Sequence, residues 1–178
     1  HTAALQGTSH AITSYVTSSN PHPVGQTAKL GLMDKLGIPV ANNYNAYINS
    51  GNLGGTATTA YLSLVPFEEG ISDYAALKAH AKTDDSYLLG PDTASSQVMC
   101  LTCHRAHASG WDHATRWNTK TEFLVYNGNY PGVEDTAVPP RISQGRSRAE
   151  TRRAFYERPA SRYAVYQRSL CNKCHARD

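Results

Sequence analysis

Apolar positions in the N-terminal half of the chain come in short stretches that turn-forming residues interrupt. Residues 1–27 are mostly polar and contain the string Asn20-Pro21-His22-Pro23. We expect extended backbone with turns there, because proline disfavours helix in the residue before it. Tyrosine, isoleucine, valine and leucine are interspersed with asparagine and glycine over residues 40–66. This pattern predicts a short β-hairpin around residues 51–55, within the stretch 45–65.

Four helices are predicted in the later part of the chain, with one long loop between the second and the third. Ser72 and Asp73 are good N-cap residues and predict a helix over residues 74–81. Ser95 or Ser96 is expected to cap a second helix that carries residues 100–107. Residues 127–145 contain repeated glycine and proline and are expected to form a long loop. Two more helices are predicted over residues 147–158 and 160–175, separated at Pro159.

The composition limits the class of protein. The chain has 178 residues, of which 40% are hydrophobic and 17% charged, and its formal net charge is +3. No apolar run approaches the roughly 18 residues that a membrane helix needs, and the charge is too small to indicate a nucleic-acid partner. These values predict one soluble, loop-rich domain over residues 1–178 and leave the chemistry to the four cysteines.

The cysteines form two identical patterns, each C-x-x-C followed by histidine. This is the attachment signature of c-type haem. The two thiols form thioethers with the vinyl groups on one edge of the porphyrin, and the histidine binds the iron as proximal ligand. The sequence therefore predicts two covalently attached haems c, held by Cys100, Cys103 and His104 and by Cys171, Cys174 and His175.

Other uses of paired cysteines explain less. Two C-x-x-C pairs can close one zinc site, but 67 residues separate Cys103 from Cys171. A thioredoxin-like redox pair would accompany a βαβ pattern, which is not visible here. Zinc, a redox pair and two structural disulfides all leave the histidine after each pair unexplained, so haem attachment is favoured.

Two six-coordinate irons need two further ligands, and histidine is the richest source. The two methionines are Met33 and Met99, and Met99 adjoins Cys100 and cannot reach the opposite face of that haem. Bis-histidine ligation is therefore favoured, which would lower the reduction potentials relative to histidine–methionine ligation and leave no open iron position. The remaining histidines are His1, His10, His22, His80, His107 and His113.

Position along the chain separates these candidates. On a helix, His104 and His107 would share one face, so they could not bind the same iron; His107 would then serve the other haem or remain a surface residue. His22 lies between two prolines that restrict its backbone. His80 shares a helical face with Tyr74 and is expected to point inward, either as a ligand or as a core histidine. The candidate distal ligands are His22, His107, His80 and His10.

The arginines concentrate near the C-terminus. Eight lie between Arg141 and Arg168. They either form a solvated surface or pair with haem propionates, which a guanidinium binds well.

The segment from Cys100 to Trp117 resembles a segment of the multihaem c-type cytochromes of metal-reducing bacteria. Its Cys-His-x-x-His arrangement and the string His22-Pro23-Val24-Gly25 are similar to haem-ligand motifs of that group. The resemblance implies that His107 and His22 are distal ligands. Some members of the group polymerise into extracellular filaments with a continuous chain of haems.

Together these features predict a fold that is mainly irregular, with a few short α-helices organised around two haems and little β-structure. The expected function is electron transfer. Residue 1 is histidine, which indicates a processed N-terminus or a truncated sequence, and removal of a secretory signal would place the protein outside the cytoplasm. The expected partners are other cytochromes or copies of the same chain in an extracellular filament, with an extracellular electron acceptor. The alternatives are a monomeric periplasmic shuttle and a dihaem peroxidase, but no enzymatic activity is expected from fully coordinated irons.

Overall fold

Short helices joined by turns make up the fold. The computed structural model describes residues 24–47, 65–83, 90–135 and 143–175. Four α-helices lie in these ranges: α1 (Val40–Ala46), α2 (Tyr74–His80), α3 (Cys100–Cys103) and α4 (Arg148–Ala154). Four 3₁₀ helices span Gly25–Thr27, Asp112–Ala114, Ala160–Arg162 and Leu170–Lys173. Within these ranges the β-structure consists of isolated bridges, so the mainly irregular fold is confirmed; the hairpin predicted at 51–55 lies outside the described residues.

Helix α1 was not predicted from the sequence. It contains two adjacent asparagines, which are poor helix formers, and burial outweighs this local preference. Ala41 is fully buried, and Asn43 and Tyr44 are almost fully buried. The side chain of Asn43 also donates to a carboxylate oxygen of Asp34 at 2.8 Å.

Helix α2 begins where the sequence predicts. The Asp73 carboxylate accepts hydrogen bonds from the backbone N–H groups of Ala75 at 2.9 Å and Ala76 at 3.2 Å, which satisfies donors that a helix leaves open. No residue of α2 is buried, and the Tyr74 side chain is exposed. The expectation that the helix face shared by Tyr74 and His80 points into the core is therefore wrong, because α2 lies on the surface of the described structure.

Helix α3 is one turn long and ends at Cys103. Its N-cap is Met99, whose N–H donates to the Thr102 hydroxyl at 3.0 Å, so the predicted cap at Ser95 or Ser96 is wrong. His104 has extended backbone, with φ −106° and ψ 154°. His104 and His107 consequently do not share a helix. Helical spacing therefore does not determine whether these two histidines bind different irons.

The C-terminal region is only partly helical. Helix α4 confirms the first predicted helix but ends at Ala154, four residues before the predicted end. The Ser147 hydroxyl is its N-cap, and Glu150 completes a capping box. The continuous helix predicted over residues 160–175 is wrong. The backbone of this segment instead pairs with a preceding loop, through Leu124 N–H to Gln167 O at 2.7 Å and Ser169 N–H to Glu122 O at 2.6 Å. Residues 127–135 form turns, as the long-loop prediction requires.

Two apolar clusters form the core among the described residues, and isolated backbone bridges connect neighbouring segments to the residues that precede the first haem motif. Gln97, three residues before Cys100, bridges Lys29 on one side and Glu68 on the other. Gly70 lies against this segment with φ +71°, and a Cβ atom there would lie 2.0 Å from the Ser95 carbonyl oxygen. The larger cluster comprises Tyr44, Tyr47, Val65, Trp111, Trp117, Leu124, Val125, Tyr130, Ala154, Phe155, Tyr163 and Leu170, and the smaller one Val24, Ala28, Leu30, Ala41 and Val98.

Candidate haem-attachment site

The first motif fits the geometry of haem attachment. Cys100 and Cys103 begin and end α3, and residues three apart on a helix lie on the same face. Two thiols on one face match two vinyl groups on one edge of a porphyrin. His104 follows at once in extended backbone and is exposed, as a ligand that must reach under the ring requires.

The second motif forms a similar turn from a different helix type. Cys171 lies in the 3₁₀ helix Leu170–Lys173, and Cys174 follows it with helical φ and ψ. Residues three apart in a 3₁₀ helix eclipse each other, which again places both thiols on one side. His175 is exposed at the end of the described chain, and its carbonyl oxygen accepts from the Asn172 side chain at 3.2 Å.

The fold brings the two motifs together. Cys174 packs against both core clusters, while Cys103 contacts the larger one and Cys100 the smaller. Burial, followed by the charge of the neighbouring Cys171, raises the pKa of the Cys103 thiol to about 11. Burial, followed by the charge of Cys103, raises the pKa of Cys174 to about 12. Cysteines of the two motifs, far apart in sequence, therefore pack against the same core clusters.

The arrangement of the thiols bears on the alternative uses of cysteine. All four thiols are free, so the chain has no disulfide in this structure. Among the described residues, which include all four cysteines, no group of three or more potential ligands converges on a point where a metal ion would bind.

The imidazole of His104 is held in one tautomer. Its Nδ1 atom lies 2.9 Å from the backbone carbonyl oxygen of His113. Because a carbonyl only accepts, Nδ1 carries the proton and Nε2 carries the lone pair that would bind iron. This contact is the outer hydrogen bond that metal-binding histidines commonly make, so the residue suits the role of proximal ligand.

His80 has a comparable contact. Its Nδ1 atom lies 2.8 Å and 3.0 Å from the two carboxylate oxygens of Glu69. The carboxylate again assigns the proton to Nδ1 and directs the lone pair to Nε2. The bridge between Glu68 and Gln97 places Glu69 beside the segment that leads into the first motif.

The other candidate ligands are less constrained. His107 is exposed in a bend three residues after His104, and His113 is exposed in the turn whose carbonyl contacts His104. His22, His10 and His1 lie outside the described residues.

Lys173 is a site residue that the sequence analysis missed. Its side chain lies within the second motif and has an exposed fraction of 0%. The ammonium donates to the carbonyl oxygens of Tyr44 at 3.0 Å and Tyr47 at 3.1 Å, and lies 3.8 Å from the centroid of the Tyr44 ring. Burial lowers the pKa of Lys173 to about 7. The position of a lysine between two cysteines gave no signal of this, because the acceptors come from α1.

Most described arginines of the C-terminal run pair with protein groups. Arg148 pairs with Asp135, and Arg168 lies 3.4 Å from a Glu122 oxygen. Several buried N–H donors nevertheless have no hydrogen-bond partner in the described structure, among them Arg105 Nε next to His104. Such donors suit anionic propionates, so the residues present fit haem in this respect too. The other N–H donors of this kind are the indole Nε1 atoms of Trp111 and Trp117, Nε2 of Gln167 and Nε of Arg168.

Comparisons with known proteins identify relatives of the chain. No protein-family model matches it. The C-type cytochrome OmcS of Geobacter sulfurreducens is 50% identical over 159 residues, which are 88% of this chain and 35% of that protein. A cryo-EM structure of OmcS nanowires from the same organism matches 92% of this chain with 49% identity and a TM-score of 0.70. A structure of the Outer Membrane Cytochrome S filament matches 97% with 46% identity and a TM-score of 0.74.

These findings confirm the resemblance to the multihaem c-type cytochromes of metal-reducing bacteria. The particular relative is OmcS, and this chain spans between 35% and 40% of the length of the OmcS chains that it matches. In the described part of the chain, no helix has both the length and the apolar character needed to cross a membrane.

Proposed function

We propose that this chain is a c-type cytochrome domain with two haems, covering residues 1–178, that transfers electrons within an extracellular filament built from copies of itself. The observation that carries the proposal is the pair of C-x-x-C-H turns, brought together by the core, with His104 already oriented by His113. The likeness to OmcS and to its filament structures supports the same function.

Each motif has a defined part in holding its haem. Cys100 and Cys103 would form the thioethers of the first haem, and Cys171 and Cys174 those of the second. Haem c supplies an iron that changes between the ferrous and ferric states. The protein contributes the orientation of the proximal imidazole, through the hydrogen bond from His104 to His113, and a closely packed environment around Cys103 and Cys174.

The distal ligands are proposed from His80, His22, His10 and His107. The contact with Glu69 supports His80, because a carboxylate on Nδ1 makes the imidazole a stronger donor through Nε2. Bis-histidine ligation would fill both axial positions of each iron. We therefore expect electron transfer without enzymatic turnover at the haems.

The likeness to the OmcS filament structures supports self-assembly and a location at the cell surface. Copies of the same chain would form the filament, and an extracellular electron acceptor would receive the electrons at the cell surface. Other cytochromes would supply them. A monomeric shuttle in the periplasm is the other outcome that an experiment must distinguish.

The test combines spectroscopy with electron microscopy on the haem-loaded protein. We expect sharp low-spin absorption bands in both oxidation states, no rapid turnover of peroxide, and helical filaments in cryo-EM images. Low-spin bands with particles that remain monomeric would support the periplasmic shuttle instead of the filament. A high-spin band with rapid peroxide turnover would contradict the proposal and favour a peroxidase.

A further inference from the structure

The two haem motifs differ by one buried charge at equivalent positions. The residue before the second cysteine is Thr102 in the first motif and Lys173 in the second. Both side chains are buried, with exposed fractions of 4% and 0%. A neutral hydroxyl in one motif therefore corresponds to an ammonium group in the other.

The surroundings of Lys173 suit an ammonium ion. The carbonyls of Tyr44 and Tyr47 lie at the end of α1, where a helix presents partial negative charge. The face of the Tyr44 ring adds a cation–π contact. In the described part of the chain no carboxylate lies within ion-pair distance of Lys173, so its positive charge is solvated by dipoles but not neutralised.

This charge lies close to the haem-attachment atoms. Lys173 is covalently next to Cys174, and the Tyr44 ring that contacts its ammonium belongs to the larger core cluster, against which Cys174 packs. The Lys173 side chain is fully buried and Cys174 is partly buried, and charges in such a medium interact more strongly than at the surface. A positive charge near an iron favours the ferrous state, which carries one positive charge fewer than the ferric state.

We propose that Lys173 is a positioning and potential-tuning residue that raises the reduction potential of the haem on the second motif relative to the haem on the first. The inference rests on the proposed function, since it requires both haems. It goes further by giving electron transfer between the two haems a preferred direction. Electrons would reside preferentially on the haem that is attached to Cys171 and Cys174.

The experiment is a redox titration of the haem-loaded protein, with Lys173→Met and Lys173→Gln as variants. Met removes the charge and Gln keeps an N–H donor without the charge. In both variants we expect the potential of the second haem to fall and that of the first haem to move less. The second haem is assigned by its loss in a Cys171→Ala, Cys174→Ala double variant.

Two controls separate charge from structure. Lys35→Met removes a charge from an exposed turn and should leave both potentials nearly unchanged, whereas Lys173→Arg should keep the second potential near its original value. If Lys173→Met fails to attach haem, Lys173→Gln and Lys173→Arg still give the comparison. Equal potentials of the second haem in the Gln and Arg variants would overturn the inference and leave Lys173 a purely structural contact. Absence of haem from the unmodified chain would instead overturn the proposed function.

Discussion

The Nδ1 nitrogen of His104 donates to the backbone carbonyl of His113, nine residues later in the chain. His113 and Ala114 present this carbonyl from a left-handed turn, with φ values of 60° and 55°. The Arg105 N–H donates in turn to Ala114 O at 2.8 Å. A turn that is unusual for residues other than glycine therefore orients His104, the first proximal ligand. The turn makes this contact with its backbone and not with its side chains.

Changing this turn should act through the backbone. Ala114→Pro requires φ near −65°, which the left-handed turn does not allow. We expect a loss of about 2–3 kcal/mol in the free energy of unfolding and a higher potential for the first haem. His113→Gly keeps the carbonyl and tolerates the turn, so its potentials should match the original protein. Denaturant unfolding and redox titration measure both effects; loss of the low-spin spectrum in His113→Gly would instead identify the His113 ring as an iron ligand.

Glu69 should influence an iron through His80. Glu69→Gln removes the carboxylate that accepts from Nδ1, which weakens the imidazole as an electron donor. We expect one haem potential to rise by about 30–60 mV, up to a tenfold change in a one-electron equilibrium. Glu68→Gln is the matched control, because that side chain is exposed. Equal potentials in both variants would show that His80 does not bind iron.

The cap of α2 should matter for the same ligand. Asp73→Ala removes the acceptor for two backbone N–H groups, and loss of an N-cap typically costs about 1 kcal/mol. Because His80 is the last residue of α2, we expect faster replacement of the distal ligand by added cyanide. Asp73→Asn retains a capping oxygen and should behave like the original protein. Identical cyanide kinetics in the Ala and Asn variants would show that the stability of α2 does not affect the haem ligands.

The thiols should react in an order that the packing sets. In the chain prepared without haem, Cys171 is exposed and should be alkylated first. The thiolate is the reactive form, so raised pKa values of about 11 for Cys103 and about 12 for Cys174 mean that their alkylation continues to accelerate as the pH rises well above 9. Peptide mass spectrometry after timed alkylation measures the order. Equal rates at all four cysteines would mean that the chain does not keep this packing without haem.

Local signals predicted the parts of the structure that depend on neighbouring residues. The start of α2 at Asp73 and the cap of α4 at Ser147 follow from side chains that bond to nearby backbone N–H groups. The haem motifs are equally local, because their chemistry requires fixed spacing. The starts of α2 and α4 were predicted because no distant residue decides them, and haem attachment at the two motifs stays a prediction.

Distant contacts decided what the sequence did not predict. Helix α1 forms from asparagine-rich sequence because Tyr44 is buried and Lys173 binds its terminal carbonyls, 129 residues away. The helix predicted over residues 160–175 does not form as one piece, because the backbone carbonyl of Gln167 accepts a hydrogen bond from the N–H of Leu124. The partners of His104 and His80, a backbone carbonyl and a glutamate, likewise carry no motif. Such pairs become visible only when the chain is folded.

The central claim is that both C-x-x-C-H motifs carry covalent haem, and intact-mass measurement with peptide mapping tests it most directly. The account predicts a mass equal to the polypeptide plus two haems, with one haem on the peptide containing Cys100 and Cys103 and one on the peptide containing Cys171 and Cys174. A mass equal to the bare polypeptide, or haem on one of the two peptides alone, would contradict it.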